Sequence, residues 1–296
     1  MVINTVIELE QVIINDMYII FDIGGTNTRV AASKDLETFG EPIKFKTPLV
    51  YSDGIQAMHE AIKELSKGEE IEGIAGGIRG PLNQNKTGIV SEVILHDWVD
   101  HNITSDIAAP FGTSAYLEND TAIVGLGEVH YGGGRGYQIV AYHTVSTGVG
   151  GARFIDGNLD LARVGFEPGH QILDFDRSFL ETNTLPTLEN LVSGAALELA
   201  KGVKPYEVPQ DDVVWVELAM RLAAGLRNTI VYWSPDVIVL GGSMIVGDPR
   251  IRLDDIRTYT EGIIKDFMPC PKIVDAELGD DGGLYGAMAM LKQREV

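Results

Sequence analysis

Cysteine is almost absent from this chain of 296 residues, where Cys270 is the only one. No disulfide can form within the chain and no Cys-based zinc cluster can be assembled, a usage that fits a reducing cytoplasm. Basic residues are scarce as well: 23 Lys and Arg stand against 43 Asp and Glu, for a formal net charge of -20. This argues against nucleic acid and anionic membrane surfaces as partners. ATP stays open, because a phosphate loop binds through local N–H groups and a metal. No stretch reaches the roughly 18 uncharged apolar residues of a membrane helix. The opening MVINTVIELEQVIIND lacks a basic start and carries Glu8, Glu10 and Asp16. It is therefore expected to be an additional strand pair or a short amphipathic lead-in, not a signal peptide. No low-complexity linker is present.

What remains is the composition of a soluble globular protein, 45% hydrophobic and 22% charged. The length predicts roughly two domains with a sizeable core. The chain is organised around residues 17–32, MYIIFDIGGTNTRVAA. Met17 to Phe21 reads as a buried strand, a polar turn follows from Asp22 to Asn27, and Arg29 to Ala32 completes a hairpin. Gly24 and Gly25 can let a ligand approach the backbone. Successive N–H groups, the hydroxyls of Thr26 and Thr28 and the Asn27 amide can then surround a phosphate. Asp22, at the strand end, is placed to order a Mg²⁺ shell. Taken alone, the stretch is equally an ordinary tight turn, and it is not a Walker loop.

Further along, a helix capped by Ser52-Asp53 is predicted through Ile55, Met58, Ile62 and Leu65, stopping at Gly68. Residues 71–79 (IEGIAGGIR) predict a buried strand, and so do 114–119 (SAYLEN). Asp120 is expected to cap a helix ending near Tyr131, so Asn119-Asp120 sits where a strand hands over to a helix, at the strand end where α/β folds gather ligands. Residues 138–144 (QIVAYHT), the turn from Ser146 to Gly151 and Ala152 to Ile155 repeat the plan of the first hairpin. Two such units point to an internal duplication, with two phosphate loops facing each other across a cleft. Glu167-Pro168-Gly169-His170 puts an acid and an imidazole on a constrained loop. Helices are predicted over 189–201, 212–233, 252–266 and 282–291, with strands at 236–240, ending in Gly241-Gly242, and at 272–275. Alternating strands and helices make the class α/β.

Together these segments resemble the ROK family (repressors, open reading frames, sugar kinases) of the actin-like ATPase superfamily. DIGGTNTR at 22–29 and STGVGGARFIDG at 146–157 resemble its two phosphate motifs, and ENDTAIVGLGE at 118–128 its Asn-Asp segment. EPGH at 167–170, LENLVSGAAL at 188–197 and VIVLGGSM at 237–244 resemble its Glu-x-Gly-His, Glu-x-x-x-Ser-Gly and adenosine motifs. The resemblance implies two ribonuclease H-like domains with a cleft between them. Residues 1–119, with a closing helix at about 282–296 packing back, would form the smaller domain, and 120–281 the larger. It implies Asp120 as the general base for the sugar hydroxyl, and Asn119, Glu167, His170 and Glu189 as sugar ligands. Asp22 would order Mg²⁺, the loops Gly24–Thr28 and Thr147–Gly148 would hold the ATP phosphates, and Gly241-Gly242 would pack against adenosine. A homodimer is common among relatives.

Two departures stand out. Many members complete a zinc site with three cysteines after the Glu-x-Gly-His element, but Gln171 to Thr187 contains none, so no zinc is expected. That region would be held by packing through Phe175, Phe179 and Leu180, with Asp174, Asp176 and Glu181 on a solvated face. The stretch ILHDW at 94–98 stands where many members have an Asn-Leu-Pro-Gly-Trp-like run, so a sugar contact is expected to be missing or altered there. The leading expectation is an ATP-dependent, glucokinase-like hexokinase acting on the 6-hydroxyl, with fructose, mannose and N-acetylhexosamines open. A sugar-responsive regulator would carry an N-terminal helix-turn-helix domain, and only 16 residues precede the first strand. A binding protein without catalysis sits poorly with an Asp at 120 and two phosphate loops.

Overall fold

The computed structural model describes residues 17–294. The lead-in expected at 1–16 lies outside the described residues. In chain order the elements are β1 (Tyr18–Ile23), β2 (Asn27–Ser33), β3 (Ile43–Lys46), α1 (Tyr51–Ser66), β4 (Gly73–Ile78), α2 (Ile103–Ala108), β5 (Ala115–Asn119) and α3 (Asp120–Tyr131). There follow β6 (Ile139–Val145), β7 (Val149–Ile155), β8 (Asn158–Leu159), α4 (Leu188–Val192), α5 (Gly194–Lys201) and α6 (Val214–Trp233). The chain closes with β9 (Val237–Gly241), α7 (Ser243–Val246), α8 (Leu253–Ile264), β10 (Lys272–Asp275) and α9 (Gly282–Lys292).

The strands form two five-stranded sheets, ordered β3-β2-β1-β4-β5 and β10-β9-β6-β7-β8. In the first, β1 and β2 are antiparallel and β4 and β5 run parallel to β1. In the second, β6 and β7 are antiparallel and β9 and β10 run parallel to β6. The duplicated strand–turn–strand plan is thus the start of each sheet. Strands β4 and β9, parallel to both of their neighbours, are wholly buried and read as continuous apolar runs, as expected for parallel strands covered on both faces.

The two sheets meet through α3 and α9. Their crossing brings backbone against backbone: a Cβ added to Gly286 would lie 1.8 Å from the carbonyl oxygen of Ile123. Only glycine permits that approach, and it fixes α9 beside β1 and β4. Glu128, buried in α3, accepts hydrogen bonds from the N–H groups of Gly133, Glu277 and Leu278 and ties down the chain entering α9. Among the described residues no helix is long and apolar enough to cross a membrane.

Three local expectations change. Helix α1 starts at Tyr51 behind Val50, with Ser52 and Asp53 inside its first turn, because Asp97 accepts the Tyr51 N–H in place of a local cap. The cap of α3 is Asn119 and not Asp120: its Oδ1 accepts the N–H groups of Thr121 and Ala122. The helix predicted over 189–201 is split at Ser193, which is extended and caps α5 by accepting the Ala196 N–H.

Candidate active site at the carboxyl edge of the first sheet

Ile23, Ile78 and Asn119 are in register across β1, β4 and β5. The next residues, Gly24, Arg79 and Asp120, therefore leave the sheet side by side at its carboxyl edge. Asp22 lies one step back, level with Gly77 and Glu118. Missing side chains make room for its carboxyl group. A Cβ on Gly283 would be 3.0 Å from Asp22 Cγ, and one on Gly77 would be 3.7 Å from Asp22 Oδ1 and 3.5 Å from the Asp120 Cα. Burial pushes the Asp22 carboxyl up to about 6, the Asp120 charge adds to the shift, and Arg29 opposes it. Arg29 reaches Asp22 at 3.5 Å and Asp280 at 3.1 Å.

Freed from capping, the Asp120 carboxylate stands at the first turn of α3, where Oδ1 accepts the Thr121 N–H at 2.8 Å. Burial raises its proton affinity, the Thr121 N–H and the Arg79 charge lower it, and Glu92 raises it again. Asn119 is largely committed to backbone, since its Nδ2 also donates to the Gly80 carbonyl at 3.2 Å.

The first Gly turn is closed by the Gly24 N–H donating to the Asn27 carbonyl at 3.0 Å, with Thr26 and Asn27 exposed. The Thr28 hydroxyl, expected to face a phosphate, is instead buried against the Thr47 hydroxyl at 3.0 Å. Thr28 already belongs to β2, and strand alternation turns its side chain inward. Thr47 also donates to the Gly24 carbonyl, so the pair braces the turn from behind.

The second turn, Ser146 to Gly148, is held by α4 and α5. Gly194 and Ala195 donate N–H groups to the Ser146 and Thr147 carbonyls at 2.7 and 3.2 Å. Glu189 accepts the Val149 N–H at 2.8 Å, so one of its oxygens holds this loop and the other is open among the described residues. Gly241 is buried at the end of β9, and Gly242 follows with φ +88°, where a Cβ would lie 2.3 Å from the Val145 carbonyl oxygen.

The loop Glu167–His170 docks on the same strand end: a Cβ on Gly169 would lie 2.2 Å from the Val149 carbonyl oxygen. Glu167 is only partly buried, yet the surrounding walls raise its proton affinity, His170 lowers it, and the charges of Glu189 and Asp120 raise it again. Three of the other expected sugar-side residues, Asp120, His170 and Glu189, thus lie within electrostatic reach of Glu167. A cavity of about 510 Å³ opens beside them, lined from both sheets by Pro81, Lys86, Glu118, Asn119 and Glu167 and reaching Arg294 just past α9. Asp120, His170 and Glu189 lie outside its lining. Arg29, Arg79, Lys86 and Glu92 were not singled out by sequence motifs; a basic residue directly after a buried strand that ends in a Gly-rich turn is the one signal that could have found Arg79.

Among the described residues no three His, Cys, Asp or Glu side chains cluster as a metal cage. Mg²⁺ does not need one, since it binds through one or two carboxylates with substrate phosphates and water. Asp22 suits it, as a carboxylate whose charge is held back by burial and by a second carboxylate. The region expected to be held by packing in place of zinc is held that way only in part. Phe175 is 90% exposed, whereas Asp174 is buried and accepts the N–H groups of Phe179 and Leu180. Leu180 packs on the core and Arg221 covers the Phe179 ring at 5.0 Å.

Comparison with known proteins agrees with this architecture. The model of the ROK family matches residues 18–294. A glucokinase from Thermotoga maritima is 25% identical over 278 residues, covering 82% of this chain and 86% of that protein. A ROK family glucokinase from Streptomyces griseus, solved in complex with glucose and AMPPNP, superposes with a TM-score of 0.74 at 23% identity, covering 94% of this chain and 99% of that one. A ROK family transcriptional regulator, a homologue of the E. coli MLC protein, gives a TM-score of 0.78 at 16% identity over 95% of this chain and 78% of its own.

Proposed function

The chain belongs to the ROK family, and from that premise we propose that it is a sugar kinase that moves the γ-phosphoryl group of ATP to a hexose, with the 6-hydroxyl of glucose as the leading acceptor. The observation carrying this reading is the side-by-side exit of Gly24, Arg79 and Asp120 from three registered strands, with Asp22 directly behind. A phosphate-binding turn and a carboxylate base stand there at one sheet edge.

In this reading the Gly24–Asn27 and Thr147–Gly148 turns hold the phosphates through backbone N–H groups. Gly241-Gly242 packs against the adenosine. Asn119, Glu167, His170 and the open oxygen of Glu189 orient the sugar, whose hydroxyls pair with these acceptors and donors. Asp120 accepts the hydroxyl proton late, as the sugar oxygen bonds to phosphorus and the bond to the β–γ bridging oxygen breaks, leaving its electron pair on ADP. Mg²⁺, ordered by Asp22, would neutralise phosphate charge. Residues 1–119 with α9, and 120–281, would be the halves that close on the substrates, in a cytoplasmic enzyme.

A sensor that only binds sugar has no need of a carboxylate base beside a phosphate turn. Fructose, mannose and N-acetylhexosamines are the alternative acceptors. A coupled ADP-release assay across these sugars tests the reading: sugar-dependent release with glucose foremost supports it, and none with any sugar refutes it.

A further inference from the structure

The cations near this sheet edge are not equivalent. Arg29 is taken by Asp22 and Asp280, and Lys86 by Glu118. Arg79 has only its Nε engaged, to Glu92 at 3.2 Å. Among the described residues neither of its terminal nitrogens has a hydrogen-bond partner. Its side chain is 40% exposed, whereas that of Glu92 is 9% exposed and held by the N–H groups of Val93 and Ile94. Glu92 is therefore a fixed post that sets the guanidinium plane and leaves its fork of donors open.

Register gives that fork its address. Arg79 leaves β4 between Gly24 after β1 and Asp120 after β5, and its N–H donates to the Ile23 carbonyl at 3.1 Å. The side chain lies across the first Gly turn, where a Cβ on Gly25 would be 3.3 Å from Arg79 Cδ. On the other side its charge acts on Asp120.

Building on the kinase reading, we propose that Arg79 is a catalytic residue that donates hydrogen bonds to the transferring phosphoryl group, midway between the phosphate turn and the base. Charge spreads over the three equatorial oxygens of that group in the transition state, and a planar fork of donors fits them better than a point charge. The carboxylates of Asp22, Asp120 and Glu92 otherwise leave this edge short of positive charge. The alternative role for the same donors is to hold the acceptor sugar in the ground state.

Arg79→Ala and Arg79→Lys separate the two. An arginine acting on the transferred phosphoryl group is worth roughly 10³–10⁵ in kcat, so Arg79→Ala is expected to lose about 10³-fold in kcat, and Arg79→Lys less. Calorimetry should find the Kd for glucose and for AMPPNP within about threefold of wild type, and the tighter complex with ADP, aluminium fluoride and glucose lost. Millimolar guanidinium should restore part of the Arg79→Ala rate. Retention of the fluoride complex, or a raised glucose KM at unchanged kcat, overturns the proposal while the kinase reading stands. A wild-type protein that phosphorylates no sugar overturns both. If Arg79→Ala does not fold, the same measurements on Arg79→Lys decide.

Discussion

Replacing Asp22 by asparagine should make the substrate-free protein more stable while disabling it. The carboxyl group titrates at about 6 in the folded chain against 3.8 ordinarily, chiefly through burial and next through Asp120. Its side chain is only 17% exposed, so little solvent screening intervenes. The shift is upward, so the folded state holds the proton more tightly than the unfolded state. Below about pH 4 both states are protonated and the site costs nothing. Stability then falls as pH rises through 4 to 6, and the loss is complete above the folded value. A shift of about two units corresponds to roughly 3 kcal/mol. The attraction of Arg29 is already contained in that net figure. The substituted amide cannot ionise, so Asp22→Asn should gain roughly 3 kcal/mol at pH 7.5, a rise in Tm of about 5 °C. The two proteins should converge near pH 4. Scanning calorimetry from pH 4 to 8 without nucleotide or Mg²⁺ measures this directly. Equal stability at pH 7.5, or a difference independent of pH, would refute the reasoning.

Four further outcomes follow from the site. Asp120→Asn should lower kcat at least about 10²-fold with glucose binding retained, because Asn119 and not Asp120 caps α3; steady-state kinetics with calorimetry checks both. Glu167→Ala should raise the sugar KM alone, by the roughly 1.5–3 kcal/mol of a charged hydrogen bond. Glu189→Ala should raise the sugar and ATP KM values together, since Glu189 also holds the Val149 N–H of the second phosphate turn; a change confined to one substrate would show that it does not join the two. Elemental analysis should find no stoichiometric zinc, and a zinc-selective chelator should leave Tm and activity unchanged with Mg²⁺ in excess; one zinc per chain with lost stability on its removal would contradict this.

The parts of the fold that read well from sequence are those with a strong local cause. Apolar runs broken by Gly-Gly or Thr-Gly located β1–β2 and β6–β7, and the apolar spacing of Met58 and Ile62 located α1. What did not read was decided by distant partners. Asn119 and Asp120 are both good caps, and the choice of Asn119 depends on where β5 releases the chain. The break at Ser193 reflects the bond from Gly194 to Ser146, far back in the chain. Strand β8 has two residues and helix α7 four, too few for any periodicity. Asp174 looks like a surface acid until its loop folds over it. Arg79 was hidden because its role rests on the register of three strands that sequence does not reveal.

The central claim is the transfer of a phosphoryl group from ATP to a sugar hydroxyl at this sheet edge. Phosphorus–proton correlation NMR of the products, after incubating the protein with glucose, ATP and Mg²⁺, tests it most directly. The account predicts stoichiometric ADP and a phosphate monoester coupled to the protons on carbon 6, with the signal lost in Asp120→Asn. ATP left intact, or hydrolysed to free phosphate with every sugar of the panel unmodified, would contradict it.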